Sequence, residues 1–287
     1  MDKVPDVSIV ILTKNGGSSL RESIKRIFSQ KVPFVYEVII IDSGSTDDTL
    51  NFLKSYPVRL FQIEPKDFSF GPTRDFGFSQ ARGEYIVTVS QDVVPADNNW
   101  LQNLVIPLIH DEADAVQGEN IAPDDEKTFF WEKIDWFYFT NESTEFNKSN
   151  GGIFLSCTHL AIKKRVWEEA HFGSCPMGED KILQKKLHSK GYKIIFRREA
   201  VAYHGHHYNL KSLIKRCENE GFGWKYVGVK YSFAQMLKDL KQPMWVYGKL
   251  IRGILKREIR NSAELLFLFV RPIFLYKGNL LARNYKF

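Results

Sequence analysis

The stretch GPTRDFGFSQARGEYIVTVSQDVVP, residues 71–95, passes from a helical pattern into an apolar, β-favouring run, Ile86 to Val89. It then ends on Ser90-Gln91-Asp92. Pro95 cannot continue that strand, because its ring fixes φ and it has no N–H to donate. A strand that reads as buried therefore finishes by presenting one carboxylate, Asp92, beside the amide of Gln91. A charge at a strand tip needs a reason.

The same alternation runs upstream. VSIVIL (7–12) reads as a buried strand, and SLRESIKRIFSQ (19–30) as a helix opened by Ser19 with Glu22 three residues on. EVIIID (37–42) and VRLFQI (58–63) are further strands, with DDTLNFLKS between them a helix capped by Ser45 and Asp47. Strand and helix in repetition predict an α/β fold: a mostly parallel central sheet with helices on both faces. Ligands of such sheets bind beyond the carboxyl ends of the strands, where loops and helix N-termini converge. The residues there are Thr13, Lys14 and Asn15 after the first strand, Asp42 and Ser43 after the second, and Gln91 and Asp92 after the fourth. Asp42 can accept hydrogen bonds from a base or ribose, and Asp92 can hold a hard divalent ion through oxygen. Neither GxGxxG nor a P-loop is present, since the first strand runs into TKNGGSSL.

Composition bounds the class. The 287 residues are 44% hydrophobic and 26% charged, which suits a folded chain. Three cysteines without CxxC spacing argue against a disulfide framework or a zinc ribbon, and fit a reducing, cytoplasmic setting. The N-terminal apolar run lacks a signal-peptide layout, and LLFLFV (265–270) stops at Arg271-Pro272, short of a membrane span. Residues 238–287 hold 11 Lys or Arg against 3 Asp or Glu, so the tail carries +8 of a chain whose net charge is +6.

Four blocks in register carry a resemblance: VSIVILTKN, VIIIDSGSTDDT, GPTRDFGFSQARGEYIVTVSQD and GEDKILQKKLHSKGYKI. Together, over roughly residues 7–220, they resemble the family 2 inverting nucleotide-sugar glycosyltransferases of the GT-A, Rossmann-like fold. SQDVVP and AVAYHGHHYNLKSLIKRCENEG are similar more narrowly to bacterial rhamnosyltransferases, which use dTDP-rhamnose. The resemblance implies nucleotide contacts by Thr13, Asp42 and Arg74, and the strand-end rim adds Asn15, Ser43, Gln91 and Asp92 as nucleotide-binding candidates. Asp92 matches the last acid of the family's DxD-type metal motif, but Ser90-Gln91-Asp92 keeps one carboxylate where two or three are usual.

Other residues can complete a cation site. In AVAYHGHHYNL, His204 and His206 alternate, so on extended chain both point one way. With Asp92 they make a mixed N/O set for Mg²⁺ or Mn²⁺, or bind a diphosphate when protonated, or form a hydrogen-bonded turn. An inverting transfer needs a base for the acceptor hydroxyl. Asp180, in the first turn of a helix, is that base, with Glu179 beside it to orient it.

Two chain segments stay outside these blocks. The aromatic-rich TFFWEKIDWFYF (128–139) reads as helical packing. In MWVYGKLIRGILKREIRNS (244–262), Lys249, Arg252, Lys256 and Arg260 recur at three- and four-residue spacing, with Leu250, Ile251, Ile254 and Leu255 on the other side. That is a basic amphipathic helix suited to an anionic membrane surface. No nucleic-acid motif accompanies the charge. The expected organisation is a glycosyltransferase domain at 1–237, with a nucleotide-binding half (1–118) and an acceptor and catalytic half (119–237). A membrane-associating helical extension follows at 238–287.

The function implied is transfer of a sugar, rhamnose from dTDP-rhamnose, or another dTDP- or UDP-linked donor. The acceptor is a lipid-linked or polysaccharide glycan at the inner face of the cell membrane, and the enzyme is peripheral there. A non-catalytic nucleotide-sugar-binding subunit is the alternative that the depleted metal motif allows. A nucleotidyltransferase ranks last for want of a Gly-rich phosphate loop.

Overall fold

The computed structural model describes residues 4–134 and 141–282. They cluster into two compact units, 1–121 with 148–204, and 122–147 with 205–287. The breaks expected at 118 and 237 differ from these, because residues 205–237 gather with the tail.

The first unit is built on an eight-stranded mixed sheet. In chain order its elements are β1 (Val7–Thr13), α1 (Gly17–Phe28), β2 (Tyr36–Asp42), α2 (Thr49–Leu53), β3 (Val58–Gln62), α3 (Phe70–Ser79) and β4 (Tyr85–Ser90). Then come β5 (Val94–Pro95), α4 (Trp100–Ile109) and β6 (Ala115–Ile121). After residue 147 follow β7 (His159–Lys163), α7 (Lys164–Ala170), α8 (Glu179–Ser189) and β8 (Ile194–Tyr203). The strand order is β3-β2-β1-β4-β7-β6-β8-β5. β1 pairs in parallel with β2 and β4, β2 with β3, and β6 with β8, whereas β7 runs antiparallel to β4 and β6. β4 ends at Ser90, before Pro95 is reached, in a turn where the Val93 N–H meets the Ser90 carbonyl at 3.1 Å; Pro95 instead lies in the two-residue edge strand β5 on β8, where a missing N–H is tolerated.

Alternate residues of β1 serve two cores. Val7, Ile9 and Ile11 pack with α1 and α4 residues such as Leu20, Ile24 and Leu104. Val10 and Leu12 pack with Phe78 of α3, Trp167 of α7 and Leu183 of α8. Both faces are covered, which is why the strand reads as a continuous apolar run.

Local signals differ from expectation at two helix starts. α1 begins at Gly17 with Gly16 as N-cap, and no side chain caps it. Ser19 therefore lies inside the helix, and Glu22 pairs with Arg26 one turn on, at 3.3 Å. At α2, Asp47 does accept the Thr49 N–H (3.0 Å), but Ser45 instead donates its hydroxyl to Asp42.

His159 shows how the sheet interior sets a pH response. It is fully buried, and its Nδ1 accepts the Trp100 indole N–H at 3.2 Å. Burial, with His204 nearby, pushes its pKa down from 6.5 to about 3. A base depressed in the folded state stabilises the fold fully only above its unfolded pKa, and that stability is lost as pH falls toward the folded value. At pH 4.5 the unfolded chain alone binds this proton, so the site costs on the order of 3 kcal/mol relative to pH 7 and above. Urea titrations at pH 7.5 and 4.5 should show a steeper loss for wild type than for His159→Gln. Equal losses would contradict the assignment.

The second unit is helical in its described residues. It contains α5 (Phe130–Lys133), most of α6 (Asn141–Ser149), α9 (Leu210–Tyr226), α10 (Phe233–Leu240), α11 (Met244–Leu255) and α12 (Ser262–Leu281). Phe129, Phe130 and Trp131 lie in its core with Leu213, Val246 and Phe267, in keeping with the packing role expected of that segment. Residues 135–139 of the aromatic stretch lie outside the described residues. α9 and α12 approach so closely that a Cβ on Gly221 would strike the Leu275 backbone, and one on Gly278 the Glu218 backbone.

α12 continues through Arg271-Pro272, where the apolar run LLFLFV stops but the helix does not. Arg271 is buried yet makes two 2.7 Å bonds to Glu220 of α9, which fixes the helix at that point. Burial pushes the Glu220 carboxyl up, but Arg271 and Arg216 outweigh it and bring its pKa to about 2. The basic helix ends earlier than expected, at Leu255, and Arg257 has φ +59, so Arg260 lies beyond it. No helix among the described residues is long and apolar enough to cross a membrane.

Candidate active site

The carboxyl ends of β1, β2 and β4 are brought level by register: Thr13 lies beside Asp42, and Leu12 beside Ser90. Above them opens a cavity of about 340 Å³, lined by Thr13, Lys14, Ser43, Arg74, Ser90, Gln91 and Asp92. Leu12, Pro65, Phe68, Phe70 and Val89 complete it with apolar surface. A mostly apolar wall with a few converging polar groups is the usual make-up of a small-molecule site.

Each rim residue is held by the others. Gln91 Oε1 accepts the Thr13 hydroxyl at 2.7 Å and the Lys14 N–H at 3.0 Å, tying the end of β4 to the end of β1. Asn15 does not line the cavity; its Oδ1 accepts the Thr46 N–H at 2.7 Å, and its own N–H goes to Ser45 Oγ at 2.8 Å. Asp42, expected to meet the nucleotide, is fully buried and also absent from the lining. It accepts the N–H groups of Gly44 and Ser45, both at 3.0 Å, and the Ser45 hydroxyl. Its carboxylate shapes the loop that presents Ser43. Gly44 has φ +86, and a Cβ there would meet Pro65, so the loop can close over the cavity edge only with glycine.

Arg74 reaches the cavity from α3 but is almost fully buried. Its Nε donates to Glu179 Oε1 at 2.8 Å and its NH1 to Thr88 Oγ1 at 2.7 Å. The cavity wall is therefore bonded to the start of α8, which follows Gly178 in the left-handed conformation. There Asp180 Oδ1 accepts the Lys181 N–H at 2.8 Å, and Oδ2 lies 3.3 Å from Lys181 Nζ. Lys181 is buried, donates to the Leu155 carbonyl and sits over the Phe154 ring at 3.7 Å. Glu179 is thus engaged by Arg74, not by Asp180.

Asp92 has a partner at the end of β8: His204 Nε2 lies 3.6 Å from its Oδ1. One carboxylate oxygen and one imidazole nitrogen form a donor pair that suits Mn²⁺ or Mg²⁺. His206 falls in the second unit, where its N–H and Nδ1 meet the Glu132 carboxylate at 2.8 and 2.7 Å. The three ligands expected from sequence are divided between the units, Asp92 and His204 in one and His206 in the other. All three cysteines are buried and free, and burial raises their pKa values, Cys175 to about 12 and Cys217 to about 11. They are poor nucleophiles.

The family model described as glycosyl transferase family 2 matches residues 8–172, more than half of the chain. The chain belongs to glycosyl transferase family 2. This family 2 member is 25% identical over 228 residues to the O-antigen chain rhamnosyltransferase WbaN of Salmonella anatum, covering 76% of this chain and 72% of the relative. Its fold matches the mannosyltransferase PcManGT of Pyrobaculum calidifontis, solved with GDP-Man and Mn²⁺. There the TM-score is 0.60 at 16% identity, over 99% of this chain and 88% of that one. It also matches glucosyl-3-phosphoglycerate synthase of Mycobacterium tuberculosis, solved with Mn²⁺, UDP and phosphoglyceric acid. That match has a TM-score of 0.60 at 18% identity, over 79% of this chain and 80% of that one. The mixed sheet, the helices on both its faces and the C-terminal helices are those of a GT-A-type glycosyl transferase.

In this family 2 protein Lys14, part of the polar TKN rim read after the first strand, brings a cation to the cavity, while the apolar wall carries no sequence signal. Pro65 and Phe68 come from the short segment between β3 and α3, and Phe70 is the first residue of α3; together they follow no period that would mark them as a wall. Phe68 and Phe70 meet edge to face at 5.0 Å, a rigid apolar surface.

Proposed function

We propose that this protein is an inverting glycosyltransferase that moves rhamnose from dTDP-rhamnose, or a related dTDP- or UDP-linked sugar, to a hydroxyl of a growing surface glycan. The acceptor is a lipid-linked or polysaccharide chain, met at the inner face of the cell membrane. The observation that carries the reading is the strand-end cavity in which Thr13, Ser43, Arg74, Gln91 and Asp92 converge, taken with the similarity to an O-antigen rhamnosyltransferase. Asp42 acts through the loop it holds, and Asn15 through the same loop. The apolar wall at Pro65, Phe68 and Phe70 suits a base or a deoxygenated sugar face, and Lys14 and Arg74 suit a diphosphate.

Asp180 is the base that takes the acceptor proton as the oxygen attacks the anomeric carbon. Glu179, clamped by Arg74, sets the start of the helix that carries it. Asp92 and His204 would hold a divalent cation, with His206 as the third candidate ligand. Such an ion offsets charge on a departing diphosphate.

Two measurements test the reading. Thermal-shift screening of nucleotide sugars should give the largest stabilisation with dTDP-rhamnose, since a ligand that binds only the folded form raises its melting temperature. EDTA should remove transfer and added Mn²⁺ restore it, and His204→Ala should raise the Mn²⁺ concentration needed by roughly tenfold or more. His206→Ala separates a third ligand from a Glu132-bound structural residue: a shift in Mn²⁺ requirement marks the first, an unchanged one the second. Donor binding without turnover across a panel of acceptors would favour the non-catalytic subunit instead.

A further inference from the structure

Helix α11 of the second unit is inverted relative to an ordinary surface helix. Its inward face is Val246 and Gly253, with Tyr247 and Leu250 partly buried on the same core. Gly253 lies so close to Phe130 that a Cβ would stand 2.8 Å from the ring, so the helix cannot turn its other face inward. Outside it presents Met244 (82% exposed), Ile251 (57%) and Leu255 (79%), spaced seven and four residues apart on one stripe. Trp245 and Ile254 flank them and are also about half exposed. The sequence placed Ile251, Ile254 and Leu255 as the side opposite the cations, and in the fold these apolar residues are the open ones.

The charges around that stripe are of one sign. Residues 244–257 contain Lys249, Arg252, Lys256 and Arg257 and no Asp or Glu. Lys249 Nζ lies 5.1 Å from the Trp245 ring, so its stem covers apolar surface while its head stays at the edge.

We infer that the outer face of α11 is a docking surface for an anionic lipid bilayer, lying in the plane of the interface with Met244, Ile251 and Leu255 below the headgroups. Lys249, Arg252, Lys256 and Arg257 then meet the lipid phosphates. The charge pattern selects this occupant over a second copy of the chain. A two-fold contact would set the same stripe against itself and bring four cations against four, with no acid on the helix and a single one, Glu258, just beyond it. A surface of lipid phosphates complements all four. This deepens the proposed reading, whose acceptor is met at the membrane face, but it is measured without donor or acceptor, so either can fail alone.

The test is co-sedimentation of the full chain with vesicles of phosphatidylcholine alone or with 30% phosphatidylglycerol added. Binding is expected with the anionic vesicles and should weaken as salt rises. Lys249→Gln and Arg252→Gln should each weaken it about fivefold. Ile251→Ser/Leu255→Ser should weaken it by about tenfold or more, with the melting temperature unchanged because both side chains are exposed. Lack of vesicle binding, or equal binding by wild type and the Ser variant, overturns the inference. So does a wild-type dimer in light scattering that the Ser variant converts to monomer, which would assign the stripe to a second copy.

Discussion

Replacing Asp180 by asparagine is expected to lower sugar transfer by about 100-fold or more while leaving the fold and donor affinity in place. The change keeps size and shape and removes only the basic oxygen. Its surroundings are built for a carboxylate: Lys181 supplies a backbone N–H at 2.8 Å and an ammonium at 3.3 Å, and the side chain is largely covered. Lys181 itself is held by the Leu155 carbonyl and the Phe154 ring, so it stays when the charge opposite it goes. The checks are initial rates at saturating donor, a melting curve and a donor titration. Loss of transfer with unchanged donor binding fits a base. Activity within a few-fold of wild type would move the role elsewhere.

Arg74→Met and Glu179→Gln are each expected to cost about 3–5 kcal/mol of stability, because either change leaves the partner charged, buried and unmatched. The two side chains are only 6% and 8% exposed and share a 2.8 Å bond. Their sequence separation is 105 residues, so the pair pins α3 to α8 across the sheet face. Arg74→Met/Glu179→Gln should recover much of either single loss, since a neutral pair leaves no stranded charge. Urea denaturation of the two single variants and the double variant gives the coupling directly. Single losses below about 1 kcal/mol, or losses that simply add, would mean the pair is not the tie described here. Arg74→Met should also weaken donor binding, since its side chain lines the cavity. Glu179→Gln should act on it only through stability and the position of α8.

Much of the first unit is written in short-range pattern. β1, β2 and β4 are apolar runs that end on polar residues, and the rule that parallel sheets bind at strand ends is enough to place Thr13, Ser43, Gln91 and Asp92 together. The Glu179-Asp180 helix start was legible for the same reason, an acidic first turn ahead of a periodic helix. Ser19 and Glu22 misled because the capping-box spacing also occurs inside a helix, and Gly16 and Gly17 offered an earlier start.

The alternation, the strand-end rim and the cationic tail are local properties, each set by neighbours within a few residues. Which groups meet is settled only by the packed chain. It buried Asp42 beneath its own loop, clamped Arg74 to Glu179, set His204 against Asp92 and assigned His206 to the other unit. It also decided which side of α11 is the inner one: a helical period gives two faces, and the contact of Gly253 with Phe130 chooses between them. Burial and pairing depend on residues far apart in the chain, and no local pattern carries that information.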